Sequence, residues 1–237
     1  MKATIKYITM ALLLWSCNQT PPKSITVAVL ADKTDSVIPK PNIPHIKYFM
    51  DSPVYEKGKR AFWYGTITNT SVNAQYKAEL SGSTLLENSL KRKTDVERFY
   101  KEIASHLEHE NNTSKTYNNS SIITPLVAEL NRIKQSNSAD KVVLLYSDIL
   151  EASDLLNVYE TKGYLELRSH PDRVVERLEQ QLFIGDLTGV ELYIIYYPKE
   201  LKDNRLFEQM LSIYRKLFEG SGLVIRVGID NPLSTEP

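Results

Sequence analysis

Cysteine is almost missing from this 237-residue chain. Its only thiol, Cys17, cannot form an intrachain disulfide, so the fold must be held by its core. A charge excess is missing too, since 29 Lys and Arg stand against 29 Asp and Glu. Neither a basic stripe nor interleaved aromatics supplies a surface that tracks nucleic-acid phosphates, and no nucleic-acid partner is expected. No Gly-rich phosphate loop follows any strand-like run, which leaves nucleotide binding with little support. Beyond residue 16 no apolar stretch is long enough to cross a bilayer. Internal repeats and low-complexity segments are absent. What remains is an ordinary globular composition, 42% hydrophobic and 24% charged, suited to one sizeable domain with its own core.

The amino terminus speaks to location. Lys2 and Lys6 precede a short apolar stretch, residues 8–15, with the arrangement of a secretory signal. It ends in Leu14-Trp15-Ser16-Cys17, which resembles a bacterial lipobox; Leu14 and Ser16 fit, and bulky Trp15 departs from the pattern. The resemblance implies removal of residues 1–16 and diacylglyceryl attachment to Cys17. Several acyl chains anchor stably, because each buried methylene contributes about 0.8 kcal/mol and a single chain is only marginal. The plainer reading is a secreted protein with a stray thiol. Loss of residues 1–16 removes Lys2 and Lys6, leaving 27 basic against 29 acidic residues. Residues 17–23, with Pro21-Pro22, read as a tether, 24–230 as the domain and 231–237 as a tail. The expected location is the cell envelope, lipid-anchored and facing the periplasm, because Asn18-Gln19-Thr20 lacks the acidic cluster that resembles a surface-export signal.

Along the domain, apolar runs alternate with helical patterns. Residues 24–31 and 141–146 are β-branched and nearly continuous in apolar character, as strands buried on both faces should be. Residues 190–196 and 223–229 read as further strands. Residues 61–68 and 74–80, separated by a turn-forming Asn69-Thr70-Ser71-Val72-Asn73, suggest a hairpin at the sheet edge. Residues 37–60 hold four prolines, which argues for an extended loop at the cleft rim. Thr94-Asp95-Val96-Glu97 resembles a capping box ahead of Phe99, Ile103 and Leu107, which share one helical face. Helices are also expected over 124–134, after Ser169-His170-Pro171-Asp172, and over 201–218. Strands separated by helices imply an α/β fold: a doubly wound, mostly parallel sheet with helices on both faces and a probable edge hairpin.

Two polar clusters stand where strands end. Asp32-Lys33-Thr34-Asp35-Ser36 follows the first run, and Ser147-Asp148 follows the run at 141–146. Open α/β sheets bind ligands at that edge, and hard oxygens there suit a hard divalent cation. Asp32-x-Thr34-x-Ser36 with the later Asp148 resembles a von Willebrand factor type A domain, whose metal-ion-dependent adhesion site is written D-x-S-x-S, then a Thr, then an Asp. Thr34 replaces the first Ser and keeps the hydroxyl. For the middle Thr the nearest match is Ser120, with Ser121 and Thr124 as rivals. The resemblance spans about residues 24–229, with 37–93 unlike the family. It implies a noncatalytic adhesion module in which Asp32, Thr34, Ser36, Ser120 and Asp148 hold Mg²⁺ or Mn²⁺ and a protein partner offers an acidic group to the vacant position.

Other readings compete. Asp32 and Ser36 serve equally as turn caps, which would make the chain a structural envelope lipoprotein with a decayed metal site. A metal-dependent hydrolase or phosphatase using Asp32 is a further alternative, although the phosphatase pattern D-x-D-x-T meets Thr34 where it asks for an acid, and Ser147 lacks a Gly-x-Ser-x-Gly elbow. His106 and His109, three apart on a helix, read as a solvated helix end. Tyr193, Tyr196 and Tyr197 read as strand core and rim.

Overall fold

The computed structural model describes residues 22–34, 38–68, 75–84, 87–113, 120–197 and 201–228. The elements in chain order are β1 (Ile25–Asp32), α1 (Ile43–Met50), a 3₁₀ turn at Pro53–Tyr55, β2 (Arg60–Ile67), β3 (Gln75–Leu80), α2 (Ser89–Asn112), α3 (Ile123–Lys134), β4 (Asp140–Tyr146), α4 (Thr161–Ser169), α5 (Pro171–Gln181), β5 (Val190–Ile195), α6 (Leu201–Leu217) and β6 (Val224–Val227).

The strands form one six-stranded sheet in the order β3-β2-β1-β4-β5-β6. Every neighbouring pair is parallel except β2 with β3, which close an antiparallel hairpin at one edge. This meets the expectation of a doubly wound α/β sheet with an edge hairpin. Each parallel step needs a crossover, and helices supply it. Strand β1 is buried along its whole length because both its faces are covered. Val27, Val29 and Ala31 face a core made with Ile46 and Met50 of α1 and Phe99, Ile103 and Leu107 of α2. Ala28 and Leu30 point the other way, into a core with Leu126 and Leu130 of α3, Val174 and Leu178 of α5, and Met210 and Tyr214 of α6. Removing a leucine such as Leu126 or Leu130 from that second layer costs about 2–5 kcal/mol.

Two expectations fail locally. The segment 37–60 is not extended throughout: it contains α1, the crossover between β1 and β2. Pro44 falls in the first helical turn, where no backbone donor is needed, and Asn42 caps it by accepting from the His45 amide at 3.0 Å. The long helix α2 begins at Ser89, not at the Thr94 box, because Asn88 accepts the Leu90 amide at 2.8 Å. Thr94 lies inside the helix and returns its hydroxyl to the Leu90 carbonyl. The apolar stripe on α2 stands as read, with Phe99, Ile103 and Leu107 all buried.

Candidate functional site

Chain order runs outward from β1 to β2 and β3, then resumes at β4 on the other side of β1. That reversal opens a crevice between the carboxyl ends of β1 and β4, where doubly wound sheets bind ligands. Ala31 is in register with Tyr146, so the next residues, Asp32 and Ser147, emerge side by side. Ser147 donates its hydroxyl to Asp32 Oδ2 at 2.9 Å. Ser120, just ahead of α3, donates to the same oxygen at 3.2 Å. On Oδ1, Asp32 accepts the Thr34 amide at 2.9 Å and the Thr34 hydroxyl at 2.6 Å. Asp32 is buried, and burial pushes its carboxyl above the ordinary range while the Thr34, Ser147 and Ser120 hydrogen bonds pull the other way.

The loop after β4 is bent tightly over this carboxylate. Ser147 Oγ accepts the Ile149 amide and Asp148 Oδ1 accepts the Leu150 amide, each at 2.9 Å. Ile149 between them has φ 57°, a left-handed conformation that a β-branched side chain adopts only under strong constraint. Its side chain is fully buried, and the core holds the strain in place. Asp148 is buried too, although it follows a strand end at the open edge of the sheet. The turn folds it inward to cap its own loop.

Glu151 ties the loops together. Only 1% exposed, it accepts the amides of Ile122 and Ile123 on Oε2, both at 2.9 Å. Helix α3 has no side-chain cap of its own, so a carboxylate from the β4 loop satisfies its first donors and meets the positive end of its dipole. The Ala152 amide donates to the Ser120 carbonyl at 2.8 Å, and the Ser121 amide to the Thr68 carbonyl at 3.4 Å. The loops after β1, β2 and β4 thus meet at the residues flanking Ser120. Burial raises the Glu151 carboxyl, and the neighbouring Asp32 charge adds to the rise. Beneath them the fully buried Tyr214 hydroxyl of α6 is raised by burial and by the charges of Glu151, Asp148 and Asp32.

The structure therefore brings together Asp32, Thr34 and Ser120, with Asp148 on the adjoining loop. Ser36, also expected at the site, lies outside the described residues, as does Cys17. Among the rival hydroxyls, Ser120 is the one bonded to Asp32. Sequence reasoning missed Ser147 as a partner of Asp32, and it missed Glu151 and Tyr214 altogether. The available signal for Glu151 was an acid set between apolar Ile149-Leu150 and Ala152 just past a strand end. On the opposite face of the sheet, His45 Nδ1 and the Tyr146 hydroxyl pair at 2.8 Å, and burial lowers the imidazole. His106 is not a solvated helix end: it stacks on Tyr76 at 3.9 Å between ring centres and meets Tyr64 edge-on. Tyr196 is buried and Tyr197 exposed, as strand core and rim require.

Among the described residues no three His, Cys, Asp or Glu side chains gather as a metal cluster. The donor set at the switch point is instead hydroxyl-rich and wholly oxygen, chemistry that fits Mg²⁺ or Mn²⁺ and not a soft ion. Each hydroxyl proton of Thr34, Ser120 and Ser147 is given to Asp32, which leaves oxygen lone pairs for other partners. Ser147 spends one on Ile149 and is fully buried. Thr34 and Ser120 are the hydroxyls left to serve an ion.

Fold and site together define an open, doubly wound α/β protein with an oxygen-rich cluster at its topological switch point. No protein-family model matches the chain, and no curated protein matches it. A solved structure described as conserved hypothetical protein BatB from Bacteroides thetaiotaomicron aligns over 88% of this chain and 92% of its own, at 11% identity and a TM-score of 0.35. A similarity that low carries no argument about the site.

Proposed function

We propose that this chain is a lipid-anchored, noncatalytic binding module of von Willebrand factor type A-like design, recognising a protein partner through Mg²⁺ or Mn²⁺ at the switch point. The observation that supports it is the electrostatic state of Asp32. It is buried, its hydrogen-bond partners are neutral hydroxyls and an amide, and buried Glu151 stands near enough to repel it. Among the described residues no cationic side chain pairs with Asp32, and a bound cation would neutralise it. Thr34, Ser120 and Ser36 would supply oxygens, with Asp32 and Asp148 balancing charge directly or through water. An ion so held keeps net positive charge, binds weakly alone and draws a partner's Glu or Asp.

One observation favours a second reading. Among the described residues Asp32 accepts four hydrogen bonds, which satisfy it without any ion, as in a structural lipoprotein whose cluster is a set of turn caps. Hydrolysis draws less support, because Ser147 is fully buried with its proton on Asp32. Calorimetric melting across a Mg²⁺ and Mn²⁺ series separates the first two. The binding module melts higher with metal, and Asp32→Asn abolishes the rise. No shift in the unaltered protein assigns the cluster to turn capping.

A further inference from the structure

Because the strands around β1 run parallel, the loops sort by sheet edge. Asp32, Ser147 and Tyr197 lie at the carboxyl edge. The amino edge, the base of the sheet, collects residues 22–24, the segment 51–59 before β2, the exit of β3 and the loop 182–189 before β5. The start of α2 is fastened to the base by Arg92, which donates to the carbonyls of Glu56, Gly58 and Ser81. The loop before β5 is fastened by Asn131, which donates to the Phe183 carbonyl at 2.8 Å and accepts the Gly185 amide at 3.1 Å.

The two most exposed large apolar side chains among the described residues, Phe183 at 81% and Leu90 at 69%, stand on these fastened segments. Val54, also exposed, belongs to the same base. A groove of about 600 Å³ adjoins the first of them, its apolar side formed by Leu182, Phe183, Ile184 and Leu217 and its rim carrying the carboxylates of Glu179, Asp186 and Glu219. A lone exposed phenylalanine needs no explanation. Phe183 and Leu90, on segments beside β5 and β3, both lie at the sheet edge that the tether enters. From Cys17 to Ser24 is seven residues, at most about 25 Å when fully extended, whereas Asp32 lies a further ~23 Å along β1.

We propose that the base of the sheet rests on the lipid surface that holds Cys17, with Phe183 and Leu90 entering the headgroup boundary. This rests on the lipid-anchor reading. Apolar side chains on a rigid loop gain by leaving water at such a boundary, and the short tether keeps this edge of the domain within reach of it. The domain then stands upright, and the Asp32 site faces away from the membrane toward a partner arriving from the aqueous side.

The test uses full-length lipidated protein in vesicles of phosphatidylethanolamine and phosphatidylglycerol. Acylated Cys17 leaves no free thiol, so Phe183→Cys, Leu90→Cys and Tyr197→Cys each accept one environment-sensitive dye. Blue-shifted emission at 183 and 90, quenched several-fold more by nitroxide lipids than emission at 197, supports the proposal. Equal quenching at all three, or stronger quenching at 197, in protein that floats with the vesicles overturns the proposal and leaves the anchor standing. Protein that fails to float overturns both. A dye at 183 shielded in lipid-free Cys17→Ser protein of two-chain mass identifies a second copy as the occupant, and overturns the lipid contact.

Discussion

Two buried carboxylates, Asp32 and Glu129, solve the same problem in opposite ways. Burial raises both. Glu129 on α3 receives a guanidinium: Arg132 donates Nε and Nη2 to its two oxygens at 2.7 and 2.6 Å, and its guanidinium lies 4.1 Å from the centre of the Trp63 ring. That corner is electrically complete. Among the described residues the hydrogen bonds to Asp32 come from neutral groups, and Glu151 adds a second negative charge nearby. A buried acid closed by a cation is architecture. A buried acid closed by hydroxyls is architecture with charge left to neutralise, and the binding proposal grows from that difference.

The comparison breaks most sharply on Arg132. Arg132→Met strips Glu129 of both its hydrogen-bonded donors, leaving only the charge of Lys77 nearby, and should cost about 3 kcal/mol at neutral pH. Asp32→Asn strands no cation, but its amide nitrogen cannot accept the Ser120 and Ser147 hydroxyls held by Oδ2, and it should cost about 1–2 kcal/mol. Urea unfolding of both variants measures the contrast, and equal losses would mean that Asp32 has a cationic partner after all.

Glu151→Ala should come next, at about 2–4 kcal/mol, because it uncaps two buried amides at the start of α3. The urea midpoint should fall with an unchanged m-value, and Glu151→Gln, which keeps an acceptor, should recover much of it.

Smaller still is the metal effect. Weak Mg²⁺ binding to the folded state should raise stability by about 1.4 kcal/mol at tenfold excess over Kd. Asp148→Asn, which retains an oxygen for the Leu150 amide, should remove that gain with little loss of fold. Asp148→Ala should also destabilise the metal-free protein, since the buried Leu150 amide loses its acceptor.

The smallest effect is a slope with pH. Asp32 and Glu151 have raised folded values, so the folded state keeps protons at pH values where the unfolded chain has lost them. Stability therefore declines as pH climbs from about 4 through those raised values. Asp32→Asn combined with Glu151→Gln should flatten the decline, and urea midpoints across that range check it. Saturating Mg²⁺ should also flatten it, by neutralising the charges that burial penalises.

Much of the fold was legible because burial on both faces writes itself into composition. The apolar runs that became β1, β4 and β5 needed only to be found, and the hairpin announced itself by its turn. Helix α1 was obscured by prolines, which forbid helix interiors but are welcome in a first turn, and deciding between the two requires knowing where the helix starts. The real start of α2 at Asn88 was hidden behind a plausible capping box six residues later, since both sequences satisfy the same local rule. Asp32, Thr34 and Asp148 were legible as strand-end polar residues. Ser147 as a partner of Asp32 was not, because a serine beside an aspartate says nothing about which neighbouring strand it meets.

By itself the sequence determined where most of the strands and helices would fall, that the sheet would be mostly parallel, and that its carboxyl edge would carry oxygen-bearing side chains, because periodicity and composition are local properties. Tertiary structure alone decided that Ser120 is the hydroxyl on Asp32, that Asp148 turns inward, and that Glu151 caps a helix beginning 28 residues before it. Those are meetings between distant parts of the chain, fixed by strand order and register, and no single segment contains them.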